Sequence, residues 1–73
     1  MQSERYKGYD VWGHAIREQS DIVVEHERYA ASGTVTKAGK FVEASSILGI
    51  ADTEEEAQEI GLQWARAWVD NHT

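Results

Sequence analysis

The strongest constraint in this chain is residues 52–70, DTEEEAQEIGLQWARAWVD, where cap, charge and apolar spacing all call for one amphipathic helix. Asp52 or Thr53 supplies an N-cap, and Glu55 or Glu56 stands three positions on, the spacing at which side chains satisfy free amide donors reciprocally. Glu54, Glu55, Glu56 and Glu59 gather where the helix dipole and unpaired N–H groups favour carboxylates. Ala57, Ile60, Gly61, Trp64, Ala65 and Trp68 recur at helical spacing as an apolar stripe, with Leu62 and Val69 on its shoulder and Glu59, Gln63, Arg66 and Asp70 opposite. Gly61 costs roughly 1 kcal/mol relative to alanine in a helix interior. Its place within the stripe predicts that a sheet residue approaches the helix backbone closely. Asn71 suits a left-handed cap, after which His72 and Thr73 are expected to fray, so the helix is predicted over about 53–70.

Everything upstream has strand character. Residues 9–17 (YDVWGHAIR) alternate Tyr9, Val11 and Ala15 on one face with Trp12, His14 and Ile16 on the other. Residues 22–37 (IVVEHERYAASGTVTK) change phase midway, from Ile22 and Val24 to Tyr29, Ala31, Gly33 and Val35, which predicts a bulge or short break at 26–28. The KAGK at 37–40 reads as a tight turn with Gly39 at positive φ, followed by a third strand over about 40–51 whose even positions, Val42, Ala44, Leu48 and Ile50, suit the core. Residues 1–6 are expected to be flexible. The predicted architecture is α+β: a three-stranded antiparallel β-meander, strands about 9–17, 22–37 and 40–51, packed on one C-terminal α-helix, β-β-β-α, in a single domain of 73 residues.

A chain of this size buries only about 60% of its unfolded surface and holds a net stability of about 3–5 kcal/mol. Cys 0 removes disulfides and thiolate zinc sites as reinforcement, which leaves oligomerisation. The lack of cysteine suits a reducing cytoplasm, residues 1–7 (MQSERYK) are too polar for a signal peptide, and no apolar run approaches the about 20 residues of a membrane span. A cytoplasmic protein is expected.

One helix covers one side of a sheet, so the other side is left bare. It would carry Trp12, Ile16, Phe41 and Ile47 among Ser32, Thr34 and Thr36, a surface fit for a homodimer or a protein partner. Because both faces are mixed, register is weakly fixed, and the opposite assignment, in which these side chains are core, stays open.

With Lys+Arg 7 against Asp+Glu 13, the net charge of −6 disfavours nucleic acid. The alternative, an RNA-binding or antitoxin-like regulator, would use Arg17, Arg28, Lys37 and Lys40, with Tyr6, Tyr9, Trp12 and Tyr29 as stacking rings. His14, His26 and His72 are scattered; a metal site could be built from His14 and His26 on neighbouring strands, but no HxH, HExxH or CxxC spacing supports it, and solvated or partly buried histidine is the better reading. Glu25 and Glu27 share a face but lack a pocket to separate their pKa values, and Ser20, Ser45 and Ser46 have no GxSxG context. No catalytic residue, metal or cofactor is expected, and the chain is read as non-enzymatic.

The YKGYDV near the start, the AGKF hairpin and the closing DTEEEAQEIGLQWARAWVD resemble a group of short, uncharacterised bacterial proteins of β-β-β-α build. The segment 41–69 is also similar to the N-terminal domain of HicB-type antitoxins, which neutralise small RNA-cleaving toxins; the chain departs from that pattern in having Pro 0, hence no Pro-Gly loop before the helix. The first resemblance implies a fold and the second a toxin partner.

Overall fold

The computed structural model describes residues 2–18 and 28–73. The elements run β1 (Gln2–Tyr6), β2 (Tyr9–Arg17), β3 (Tyr29–Lys37), β4 (Lys40–Ala44), β5 (Gly49–Ala51) and α1 (Glu54–His72). All strand pairs are antiparallel, in the order β1-β2-β3-β4, with β5 also hydrogen-bonded to β3. The sheet is therefore antiparallel and packed on one C-terminal helix, as the sequence predicts, but it has five strands among the described residues where three were predicted.

The first difference is β1, which occupies residues expected to be flexible. Lys7 at φ 50 and Gly8 at φ 86 close a two-residue turn, and Ala38 at φ 52 with Gly39 at φ 78 closes a second between β3 and β4. Positive φ at both central residues is the type I′ geometry whose twist matches that of paired strands. The expected strand at 22–37 is β3 from Tyr29 onward; Ile22, Val24, Glu25, His26, Glu27 and the expected bulge lie outside the described residues, except for Arg28 at its edge.

The third difference is a flip of phase. Thr36 pairs with Phe41 and Thr34 with Ala44, so Val42 and Glu43 together oppose Val35. One extra residue inverts every later side chain. Val42 still packs on the core, but Ala44, Leu48 and Ile50, expected inside, are exposed, and Ala51 takes the buried place. The expected single strand at 40–51 is split by residues 45–48. Ser45 bridges the split: its N–H donates to the Gly33 carbonyl at 2.8 Å and its Oγ accepts from the Gly33 N–H at 2.7 Å. The chain rejoins β3 where Leu48 N–H reaches the Ala31 carbonyl at 2.8 Å.

Helix α1 starts at the expected cap, Thr53, whose Oγ1 accepts from Glu56 N–H at 3.1 Å. It buries Ala57, Gln58, Gly61, Leu62, Ala65 and Val69, while Ile60, Trp64 and Trp68 are half-buried along one rim. The buried line is thus turned from the expected stripe toward Leu62 and Val69. Small residues take its centre because the helix rides directly on the sheet backbone at Gly13 and Gly33, with the Trp64 ring reaching in from the rim against Gly33. The helix does not stop at Asn71. It continues through His72, whose ring stacks on Trp68 at 3.9 Å and whose Nδ1 donates to the Trp68 carbonyl at 2.7 Å.

Candidate functional site

The helix covers the face lined by Val11, Gly13, Ala31, Gly33 and Val35. The opposite face is built from the alternate residues of each strand, and the register arranges them in cross-strand rows. Arg5, Asp10, Thr36 and Phe41 form one row, and Ser3, Trp12, Thr34 and Ala44 the next. His14 beside Ser32 follows, and Ile16, Ala30 and Ile50 form the last. Across the middle, Trp12 Nε1–H donates to Thr36 Oγ1 at 3.1 Å, and His14 Nε2 and Thr34 Oγ1 share a hydrogen bond of 2.9 Å. These bonds tie the indole and imidazole down along the sheet and leave them half-buried.

Phe41 is 66% exposed, Ile16 49% and Ile50 47%, whereas Ala30 between the two isoleucines is 6% exposed. Two β-branched side chains flanking a methyl make a notch; Phe41 at the other end of the face is a knob. Thr36 and Ala30 stand six residues apart on β3, so knob and notch are about 20 Å apart. Trp12, Ile16 and Phe41 therefore lie on the open face as expected, but they do not form one patch. Ile47 is exposed within residues 45–48 and belongs to no strand. Ile50 and Leu48, which the bulge turns outward, were assigned to the core by alternation alone.

Charge is segregated. Among the described strand residues, the outward-facing charges are Arg5 and Asp10, which bind each other at 3.1 Å. The acids concentrate on α1 at Glu54, Glu55, Glu56, Glu59 and Asp70. The candidate cations separate into two pairs: Arg17 lies opposite Tyr29, next to Arg28, while Lys37 and Lys40 face each other across the second turn, with Lys37 Nζ 4.8 Å over the Tyr9 ring. The pairs are about 26 Å apart along β3. Tyr6, Tyr9 and Tyr29 pack toward the helix and Trp12 away from it, so these rings share no platform.

The β1–β2 hairpin is latched to the end of α1. Lys7 Nζ lies 2.6 Å from Asp70 Oδ1, Tyr6 OH donates to both Asp70 oxygens at 2.9 and 3.0 Å, and Arg66 bridges Glu4 and Glu59. Hydrogen bonds from Lys7 and then Tyr6 hold the Asp70 carboxyl below its ordinary range, and the bond to Asp70 raises both Tyr6 and Lys7. The bond to Glu4 raises Arg66. Among the described residues no three His, Asp or Glu side chains converge on a common metal position, and the expected His26, Glu25, Glu27 and Ser20 lie outside them.

Fold and face together define a small α+β protein with an antiparallel sheet covered on one side by a single helix. Compared with protein-family models, curated proteins and solved structures, the chain matches none of them. No helix among the described residues is long and apolar enough to cross a membrane.

Proposed function

We propose that the chain is a non-enzymatic protein-association module of the cytoplasm, which buries the outer face of its sheet against another protein surface. What supports it is that α1 covers the inner face alone, while Ile16, Phe41 and Ile50 stand exposed on a face whose strand charges cancel. Ile16 and Ile50 flank Ala30 at one end of that face and Phe41 stands at the other, so a partner would engage both ends. The cytoplasmic assignment rests on the absence of cysteine. An antitoxin-like or RNA-binding role is disfavoured, because Arg17 with Arg28 and Lys37 with Lys40 lie at opposite ends of β3 rather than along one groove.

The test compares wild type, an Ile16→Glu/Ile50→Glu variant and a Glu55→Lys variant for association with itself and with proteins of the native cell. Association lost only in the sheet variant supports the proposal. Association unaffected by the sheet variant, or RNA retention that weakens steeply with salt, overturns it.

A further inference from the structure

The sheet has two edges, and they differ. Among the described residues, β4 and β5 form one of them, and it is closed to a regular strand. The bulge at Val42 and Glu43 and the interruption at residues 45–48 break its line, and Glu43 Oε1 takes the outward N–H of Ala44 at 3.1 Å. The other edge is β1, 5 residues in unbroken register with β2. We infer that β1 is a docking strand whose partner is β1 of a second copy, paired antiparallel about a two-fold axis normal to the sheet beside Glu4. This assignment concerns the edge of the sheet and does not rest on association through its outer face.

The register fixes which backbone groups are open. Tyr6 and Tyr9 flank the two-residue turn and exchange both their hydrogen bonds, so in alternation Glu4 with Val11 and Gln2 with Gly13 do the same. Ser3 and Arg5 then turn their N–H and C=O groups away from β2. Among the described residues, no strand and no backbone hydrogen bond reaches them from the far side. Charged side chains commonly guard such an edge. Those of β1 are instead drawn inward onto the same molecule, Arg5 to Asp10 and Glu4 to Arg66, as Tyr6 and the neighbouring Lys7 are to Asp70.

A two-fold at Glu4 matches the open groups to one another. Ser3 of each copy stands opposite Arg5 of the other and exchanges both hydrogen bonds with it, while Gln2 stands opposite Tyr6. An axis at Ser3 or at Arg5 would set one open residue of each copy against no strand residue. On the open face, Arg5 then lies between its own Asp10 and Ser3 of the other copy. On the helix face, Glu4 meets Glu4, and each is held by its own Arg66, which also binds Glu59. Around the junction each copy sets Arg5, Lys7 and Arg66 against Glu4, Asp10, Glu59 and Asp70, a slight excess of acid that salt screens. Because one edge of each chain is open and the other closed, pairing stops at an isologous dimer. It reinforces a small chain that has no disulfide.

Amide exchange followed residue by residue, from low micromolar to millimolar concentration, tests the pairing. Glu4 and Tyr6, bonded to β2, exchange slowly throughout. Ser3 and Arg5 are expected to slow by roughly tenfold or more as concentration rises, while sedimentation equilibrium shows a dimer that added salt favours. Ser3→Pro removes an outward donor alone, at a position where edge strands tolerate proline. It should abolish the dimer and the protection of Arg5 while Glu4 stays slow. The Ile16→Glu/Ile50→Glu variant should keep both, which separates the edge from the outer face. Fast exchange at Ser3 and Arg5 at every concentration overturns the pairing. So does a dimer that survives Ser3→Pro; if that dimer vanishes in the Ile16→Glu/Ile50→Glu variant, self-association belongs to the outer face. Association that weakens steeply with salt overturns the axis at Glu4.

Discussion

Gly61 of the helix lies so close to Gly13 of β2 that a Cβ added to Gly61 would stand 2.9 Å from the Gly13 Cα and 2.0 Å from the Ser32 carbonyl oxygen. The reverse holds as well, since a Cβ on Gly13 would meet the Gln58 carbonyl oxygen at 2.0 Å. Helix and sheet touch backbone to backbone here, between an aromatic-rimmed cluster around Val11, Val35 and Val69 and a small-residue cluster around Ala31, Ala51 and Ala57.

Gly61→Ala gains about 1 kcal/mol of helix propensity yet must push the helix off the sheet, because the obstructing atoms are backbone. Overpacking of that kind costs typically about 1–3 kcal/mol, occasionally more. At the upper end of that range a net loss of about 2 kcal/mol is expected in urea unfolding for Gly61→Ala and about 3 kcal/mol for Gly13→Ala, which has no helix gain to offset it. Gly49→Ala, with nothing within 4 Å of the added Cβ, is the control and stays near wild type. Equal stability of all three would contradict the contact.

Ala38 sits in the left-handed region at φ 52, where an L side chain costs roughly 1 kcal/mol. Asparagine adopts that conformation more readily and is favoured in this turn type. Ala38→Asn should therefore raise the thermal midpoint, by about 4 °C for a chain of this size. An unchanged or lowered midpoint counts against the type I′ turn.

Ser45 gives the buried Gly33 N–H its hydrogen-bond acceptor where β3 has no regular strand beside it. Ser45→Ala leaves that donor unsatisfied, at a cost of about 1–3 kcal/mol. Amide exchange at Gly33 should accelerate more than at Val11. Uniform acceleration along the sheet would mean that the hydroxyl has no such local role.

The Asp70 latch sets a pH window. The folded-state carboxyl is held low, so its contribution is present above the ordinary carboxyl value and is lost as pH falls through the lower folded value, below about pH 4. Tyr6 and Lys7 are raised, so theirs is present below their ordinary values and is lost as pH rises beyond about 10. Thermal midpoints plotted against pH should fall on both sides, and Asp70→Asn should flatten both shoulders. An Asp70→Asn profile parallel to wild type would remove the latch from the account.

Local signals were legible wherever one segment dictates its own conformation. Thr53 caps α1 as expected, because the cap needs only a hydroxyl and the next turn of amides. The KAGK turn is likewise where it was expected. The YKGY turn carries the same Gly signal, but polar residues 2–5 show no apolar alternation, and β1 owes its place to pairing with β2 and to the latch from Glu4, Tyr6 and Lys7 onto Arg66 and Asp70. Of the expected face, Trp12, Ile16 and Phe41 were legible because they precede the bulge. Ile50 was not, because one extra residue at Val42 and Glu43 reverses the alternation from which faces are read.

The sequence by itself determined a capped amphipathic helix at the end of an antiparallel sheet, because hydrogen-bond capping and apolar periodicity are properties of adjacent residues. Only the tertiary structure decided which line of the helix is buried and which way Ala44, Leu48 and Ile50 point. The first depends on how closely two backbones can meet at Gly13, Gly33 and Gly61; the second depends on a register that β3 imposes on a neighbour and that the neighbour's own residues do not encode.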